Sequence, residues 1–398
     1  MGRTAARHAA AIGAVTEVIT ADLRGASAAR AAESIATGGG PTITATAVDV
    51  LDPVAIRRLL DRCDAVLNCA GPFFRIGVPA LTAAIDTGTT YLDICDDPDP
   101  TEAMLDLHER AVTAGVVAVV GMGASPGLSN LLAMRAAAEL DSVTDCITAW
   151  PLDAESPDGT TESDRSTNDS TNDTSDDTAV SGALVHFMEQ IHGEVVVVDN
   201  GVHVRRTPLE AVAIDYPAMG RGTGYVVGHP EPITLRDSLG VSGRCVNVVV
   251  TGSGTTAAYL RGLQRDLDRG ELTLERAGAL LLRPTATRGA RAAIEGLRLG
   301  DIGRLPPFFA LVTGTRGGNR RTVGCHVTTL PRGMAGATSI PAALGLAQLL
   351  DQVANGTATP GVHPPERVID AHRLLDDLIA HCPAPVASVD DLAPLVSI

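Results

Sequence analysis

Through the first 120 residues, short runs of β-branched residues alternate with Ala-rich stretches of helical composition. Strands are predicted at 15–22, 42–50, 64–70, 90–95 and 115–120, and helices at 26–36, 53–61, 76–88 and 100–113. The run at 64–70 (DAVLNCA) is almost wholly apolar, as expected of a strand covered on both faces. Gly88 stands where a left-handed residue closes a helix. Such alternation builds a parallel, doubly wound sheet. Beyond 181, strands are predicted at 194–199, 202–206, 225–227, 244–251 and 308–314, with helices at 182–191, 256–268 and 341–355. Between these halves, 153–180 carries many acids and almost no apolar residue. It is expected to be a disordered insertion.

One piece of the pattern is missing. A dinucleotide fold opens with a strand and a G-x-G-x-x-G turn, and this chain opens directly on helical composition. Gly2 stands where the last glycine of that turn belongs, and Asp22 follows 20 residues later, near the place of an acid that meets an adenosine ribose. A start placed too late is the favoured explanation. A fragment and a degenerate copy are the alternatives.

Composition narrows the function. The net charge is −16 and all 31 basic residues are Arg, so no basic stripe exists for nucleic acid. Without Lys there is no enzyme Schiff base and no Lys general base. The acidic, Lys-free balance suits a high-salt cytosol. The seven Cys form no CxxC and no zinc spacing, so no metal is expected and reduced thiols point to the cytoplasm. No run approaches 18 apolar residues, so no membrane span is expected, and the N-terminus lacks a signal-peptide core.

Asn68-Cys69-Ala70-Gly71-Pro72-Phe73, then YLDICDD at 91–97, then GMGASPGLSN at 121–130 are the most specific segments. With GHPEP at 228–232, MAGATSIP at 334–341 and GVHPPE at 361–366, their order resembles the saccharopine dehydrogenase superfamily. The resemblance implies a Rossmann-type domain lacking its first strand (1–145) and an α/β substrate and dimer domain with an open mixed sheet (146–330). It implies C-terminal helices (331–398) that return to the first domain. It also implies hydride transfer between NAD or NADP and a C–N bond of a small amino-acid-like substrate, in a homodimer. Carboxynorspermidine- or homospermidine-type chemistry, and a non-catalytic binding or scaffold remnant, are the other readings.

Candidate residues follow from both arguments. Gly2, Asp22, Arg24, Asn68, Cys69, Ala70, Gly71 and Pro72 are expected along the cofactor. Asp22 favours NAD through the ribose hydroxyls, while Arg24 is suited to a 2′-phosphate. Asp93 and His229 are the candidate acid/base groups. Gly123, Ser125, Pro126, Gly127 and Asn130 form a strand–turn–helix corner, with Pro126 in the first helical turn and Ser125 as its cap. That corner is assigned to substrate together with Glu231, which with His229 is read as part of a Gly/Pro-rich loop. Asp96, Asp97, His186 and Glu189 are weaker candidates. Gly314–Gly318 reads as a hairpin turn.

Overall fold

The computed structural model describes residues 1–35, 40–152, 182–299 and 301–398. The acidic stretch 153–180 lies outside the described residues. The first half runs α1 (Gly2–Ala9), β1 (Glu17–Asp22), α2 (Gly25–Ile35), β2 (Thr42–Ala47), α3 (Pro53–Leu60), β3 (Ala65–Asn68), α4 (Phe73–Thr87), β4 (Thr90–Asp93), α5 (Pro98–Leu105), α6 (His108–Ala114) and β5 (Val117–Val119). Local chemistry sets the boundaries. Asp52 caps α3 by accepting the amides of Val54 and Ala55, and Pro53 fills its first turn. Gly88 closes α4 with φ +71°. Every residue of β4 is buried, as a strand covered on both faces requires.

The second half begins with α7 (Leu128–Ala137), β6 (Ser142–Pro151), α8 (Gly182–Gln190), β7 (Val195–Asp199), β8 (Val202–Arg206), β9 (Ala211–Tyr216) and β10 (Gly220–Val226). It continues with α9 (Glu231–Leu239), β11 (Cys245–Val250), α10 (Gly254–Asp268), α11 (Leu274–Leu282), α12 (Ala286–Leu299), β12 (Phe309–Arg316) and β13 (Asn319–His326). The last elements are α13 (Gly333–Ala354), β14 (Gly361–His363), α14 (Ala371–Ile379), α15 (Val389–Leu392) and β15 (Leu395–Ser397). Nine of these strands form one mixed sheet in the order β15-β13-β12-β6-β11-β10-β9, with β7 joined to β11 and β8 to β7. The β12–β13 hairpin turns on Gly317 and Gly318, both at positive φ, which two-residue hairpin turns of this hand demand.

The parallel strands fall into two groups. β1 pairs with β2, and β3, β4, β5 and β14 form a separate parallel sheet. Among the described residues no strand joins β1 to β3. Side chains at both edges, Val18 and Ile19 on β1 and Val66 and Leu67 on β3, are only half-buried. Helix α13 packs against α1, β3 and β4. It corrects the expectation of no long apolar run: by length and composition it is apolar enough to cross a membrane. Here Ile340, Ala342, Ala343, Leu346 and Leu349 are buried in the core.

The core is aliphatic, with Leu81, Leu92, Leu131 and Leu132 fully buried. Leu81→Ala is expected to cost about 2–5 kcal/mol in urea denaturation. Leu297, 83% exposed on α12, is expected to tolerate Ala within about 0.5 kcal/mol.

Candidate active site

Because β3, β4 and β5 are parallel, their C-terminal ends share one edge. Asp93, the last residue of β4, is fully buried there. Its carboxylate accepts from Tyr91 Oη at 2.8 Å, the Cys95 amide at 3.1 Å and the Gly121 amide at 2.7 Å. Asn68 Nδ2 donates to Tyr91 at 3.1 Å. Burial pushes the Asp93 carboxyl up to about 6 against these donors. Asp93 thus ties the strand ends together from inside the core.

Beyond Asn68, residues Ala70, Gly71 and Pro72 are exposed, across a cis Gly71–Pro72 peptide. Cys69 faces α1, where a Cβ on Gly2 would meet its Cβ at 3.8 Å. Burial pushes its thiol up to about 12, so it is no nucleophile. Asp22 ends β1 with an exposed carboxylate that accepts the Arg24 amide at 2.8 Å, with the Arg24 guanidinium 3.9 Å away. An open small-residue turn, an α1 N-terminus without a side-chain cap, and an exposed carboxylate at the tip of β1 fit a dinucleotide laid along this edge.

The 121–130 corner has different capping from that expected. Helix α7 starts at Leu128, after Gly127, so Pro126 precedes the helix instead of lying in its first turn. Asn130 Oδ1 accepts the Gly127 amide at 3.1 Å and supplies the cap that Ser125 does not. Gly127 sits at φ +112°, and a Cβ there would lie 2.4 Å from the Gly123 nitrogen, so only glycine closes this turn. The hydroxyl of Ser125 is turned toward Glu231, to which it donates.

Glu231 gathers the site. It is not in a loop: it is the first residue of α9, behind Pro230, and is fully buried. Oε1 accepts from Ser125, from Ser129 at 2.8 Å and from Asn247 Nδ2 at 2.9 Å. Oε2 lies 3.1 Å from His229 Nδ1. Burial opposes ionisation, but the His229 charge and these donors hold the carboxyl below its ordinary range. A carboxylate only accepts, so Nδ1 carries the proton between the two side chains and Nε2 is the ring nitrogen left to exchange one. Asn130 serves a second buried acid, donating to Glu366 at 2.9 Å. Burial raises the Glu366 carboxyl.

Over this pair lies a ring of residues from three elements. Trp150, on β6, has its ring 5.6 Å from that of His229 and 5.7 Å from that of Phe187. Its Nε1 donates to Asn247 Oδ1 at 2.9 Å. His186 on α8 stands 3.2 Å from Asp96, 3.1 Å from Asp97 and 3.5 Å from Glu189. Asp97, His186 and Glu189 bring three possible ligand atoms within 4.8 Å of one another. The contacts from Nδ1 are those of direct ion pairs, and the group is read as an imidazolium among carboxylates. Burial lowers the imidazole, but the Asp96 hydrogen bond and the charges of Asp96, Asp97 and Glu189 prevail and lift it to about 9. Trp150, Ser129, Asn247 and Glu366 were not singled out from the sequence. Two carried signals: Trp150 is the chain's one tryptophan, and Asn247 is a polar residue within the apolar run CVNVVV.

Comparison with known proteins bears out the family likeness. Residues 1–119 match the family model of the saccharopine dehydrogenase NADP binding domain. A probable mitochondrial saccharopine dehydrogenase-like oxidoreductase of Arabidopsis thaliana is 38% identical over 87 residues, covering 21% of this chain and 19% of that protein. The human saccharopine dehydrogenase-like oxidoreductase is 31% identical over 90 residues, 21% of each chain. The match thus spans about a fifth of these relatives. Apo saccharopine dehydrogenase (L-Glu forming) from Saccharomyces cerevisiae superposes over 100% of this chain and 98% of its own, with TM-score 0.55 and 13% identity. At that identity the likeness speaks for the fold alone.

The raised imidazole predicts an alkaline weakness. Stability due to His186 is fully present below its ordinary 6.5 and is lost as pH rises through about 9. The urea-midpoint advantage of the parent over His186→Gln is therefore expected to shrink between pH 6 and pH 10.

Proposed function

We propose that this relative of the saccharopine dehydrogenases is an NAD(P)-dependent oxidoreductase that transfers hydride at a C–N bond of an amino-acid-like substrate. The observation that carries the reading is the buried His229–Glu231 pair, tied through Ser125 to the corner beyond β5. When bound, the nicotinamide ring supplies or accepts the hydride. The exposed turn at Ala70, Gly71 and Pro72 would lie along the dinucleotide, and Asp22 would take the ribose hydroxyls. His229 Nε2 would pass a proton to or from the substrate nitrogen, and the ionised Glu231 would steady the imidazolium that results. Gly123 and the Ser125–Asn130 corner hold Glu231 in place, so their part in substrate binding would be to shape the floor. Trp150 would exclude water from one side of the reacting bond. The acidic rim of Asp96, Asp97 and Glu189 favours the amine end of a substrate, which also keeps a polyamine-type substrate in view.

Trp150 provides the test, since energy transfer from a single tryptophan to a reduced nicotinamide reports binding directly. NADH and NADPH are both expected to quench it. Asp22→Ala should weaken NADH by about tenfold, the loss of one well-made hydrogen bond to a charged group, and Arg24→Ala should weaken only NADPH. In a screen of amino acids and diamines for cofactor turnover, His229→Gln should lose about 10²–10⁴ in kcat with cofactor binding intact. A folded chain that binds neither nucleotide would point instead to the scaffold reading.

A further inference from the structure

Helix α9 turns a polar stripe toward α7. Glu231, Thr234 and Ser238 stand three and four residues apart, on one face of the helix. The first turn of α7 meets this stripe with Ser129 and Asn130, both wholly buried. Ser129 serves the Glu231 end, donating at 2.8 Å. Asn130 serves the middle, donating from Nδ2 to Thr234 Oγ1 at 3.1 Å. The far end is closed by Glu366, a buried acid from a distant part of the chain. Its Oε1 accepts from Ser238 at 3.0 Å and its Oε2 from Asn130 Nδ2 at 2.9 Å.

The sheet explains how Glu366 arrives there. β14 runs parallel to β5, and the Val120 amide donates to the His363 carbonyl at 3.0 Å. The two strands therefore deliver the 121–130 corner and the 3₁₀ turn Pro365–Arg367 to the same edge. Arg367 Nε donates to Ser238 at 3.2 Å and ties that turn to α9. The Asn130 amide has one way to sit among these groups. The Gly127 amide can only donate, so Oδ1 faces it at 3.1 Å and Nδ2 faces Thr234 and Glu366. Without Glu366, one hydrogen of a wholly buried amide has no acceptor, and the amide turns to find one. Oδ1 is also 3.3 Å from the Ser129 hydroxyl, the group that donates to Glu231.

We propose that Glu366 is a positioning residue for the His229–Glu231 pair. It acts through Asn130, which holds the first turn of α7 so that Ser129 donates to Glu231. Docking of the segment after β14 thus completes the site. Glu366 touches neither substrate nor cofactor. The proposal rests on the role given to His229 and Glu231, but its test needs neither cofactor nor substrate. The titratable groups around Glu231 are His229 just ahead of α9, Glu366 across Asn130, and the Cys245 thiol on β11, which the Cys146 thiol, burial and both acids keep neutral.

In full-length chain labelled with ¹³C at glutamate side-chain carboxyls, the Glu231 resonance is assigned by its loss in Glu231→Gln. Its titration is then compared in two variants. Glu366→Ala withdraws the acceptor from Asn130. It is expected to raise the Glu231 midpoint by about one pH unit, about tenfold in acid constant, as one hydrogen bond to a charged group weakens. Glu366→Gln keeps a carbonyl for Asn130 and should leave the midpoint at or below that of the parent. Loss of a neighbouring negative charge alone would lower the midpoint in both variants. A role in folding alone would lower the unfolding temperature and leave the midpoint unmoved. Either result overturns the proposal. Should Glu366→Ala fail to fold, Glu366→Asp carries the test, since it keeps the charge but draws the carboxylate back from Asn130. The same rise is expected there, and an unmoved midpoint overturns the proposal. Failure of the chain to bind NADH or NADPH would count against hydride transfer and leave the Glu366 result standing.

Discussion

A carboxylate with no solvent contact is costly unless every lone pair it offers is used. Glu231 meets that demand with four partners drawn from separate parts of the chain: Ser125 and Ser129 beside the start of α7, Asn247 on β11, and His229 just ahead of α9. Its ionisation sets the tautomer of His229, and its donors fix the 121–130 corner against the mixed sheet. Removing the acid would leave four polar groups facing an apolar gap. Removing a single donor would shift the carboxyl itself.

The rest of the site follows from this anchor. Asn247 turns its amide nitrogen to Glu231 and its carbonyl to the Trp150 indole, so the aromatic wall and the acid are set by one side chain. Trp150 in turn meets Phe187 of α8, and α8 carries His186 to Asp96 and Asp97 at the end of β4. The edge at 70–72 is built differently, from small exposed residues. Its neighbouring strands, β1 and β3, are not joined within the described chain.

Much of the fold was legible in the sequence. The alternation of β-branched and Ala-rich runs located every strand of the first half to within a few residues, because parallel strands covered on both faces must be apolar throughout. The second half was harder. β9, where buried Val212, Ile214 and Tyr216 alternate with exposed Ala211, Ala213 and Asp215, and helices α11 and α12 were not among the predicted elements. Long-range burial decides such elements, not local preference. At the site, Asp93 illustrates the limit: an acid ending a strand looks the same in sequence whether it faces a cleft or ties strand ends together. Glu231 shows the converse, since its Gly/Pro setting suggested a loop while Pro230 in fact opens a helix. Asn247 and Ser129 acquire meaning only from partners 16 and 102 residues away.

The most direct test of this account is the charge on Glu231. In chain labelled with ¹³C at glutamate side-chain carboxyls, the Glu231 resonance is assigned by its loss in Glu231→Gln and followed with pH. The account predicts a carboxylate shift at neutral pH that persists below the ordinary glutamate value of 4.5. A protonated Glu231 at neutral pH would contradict it. A carboxylic acid could not accept all four of these bonds, and His229 would have no charge to hold it.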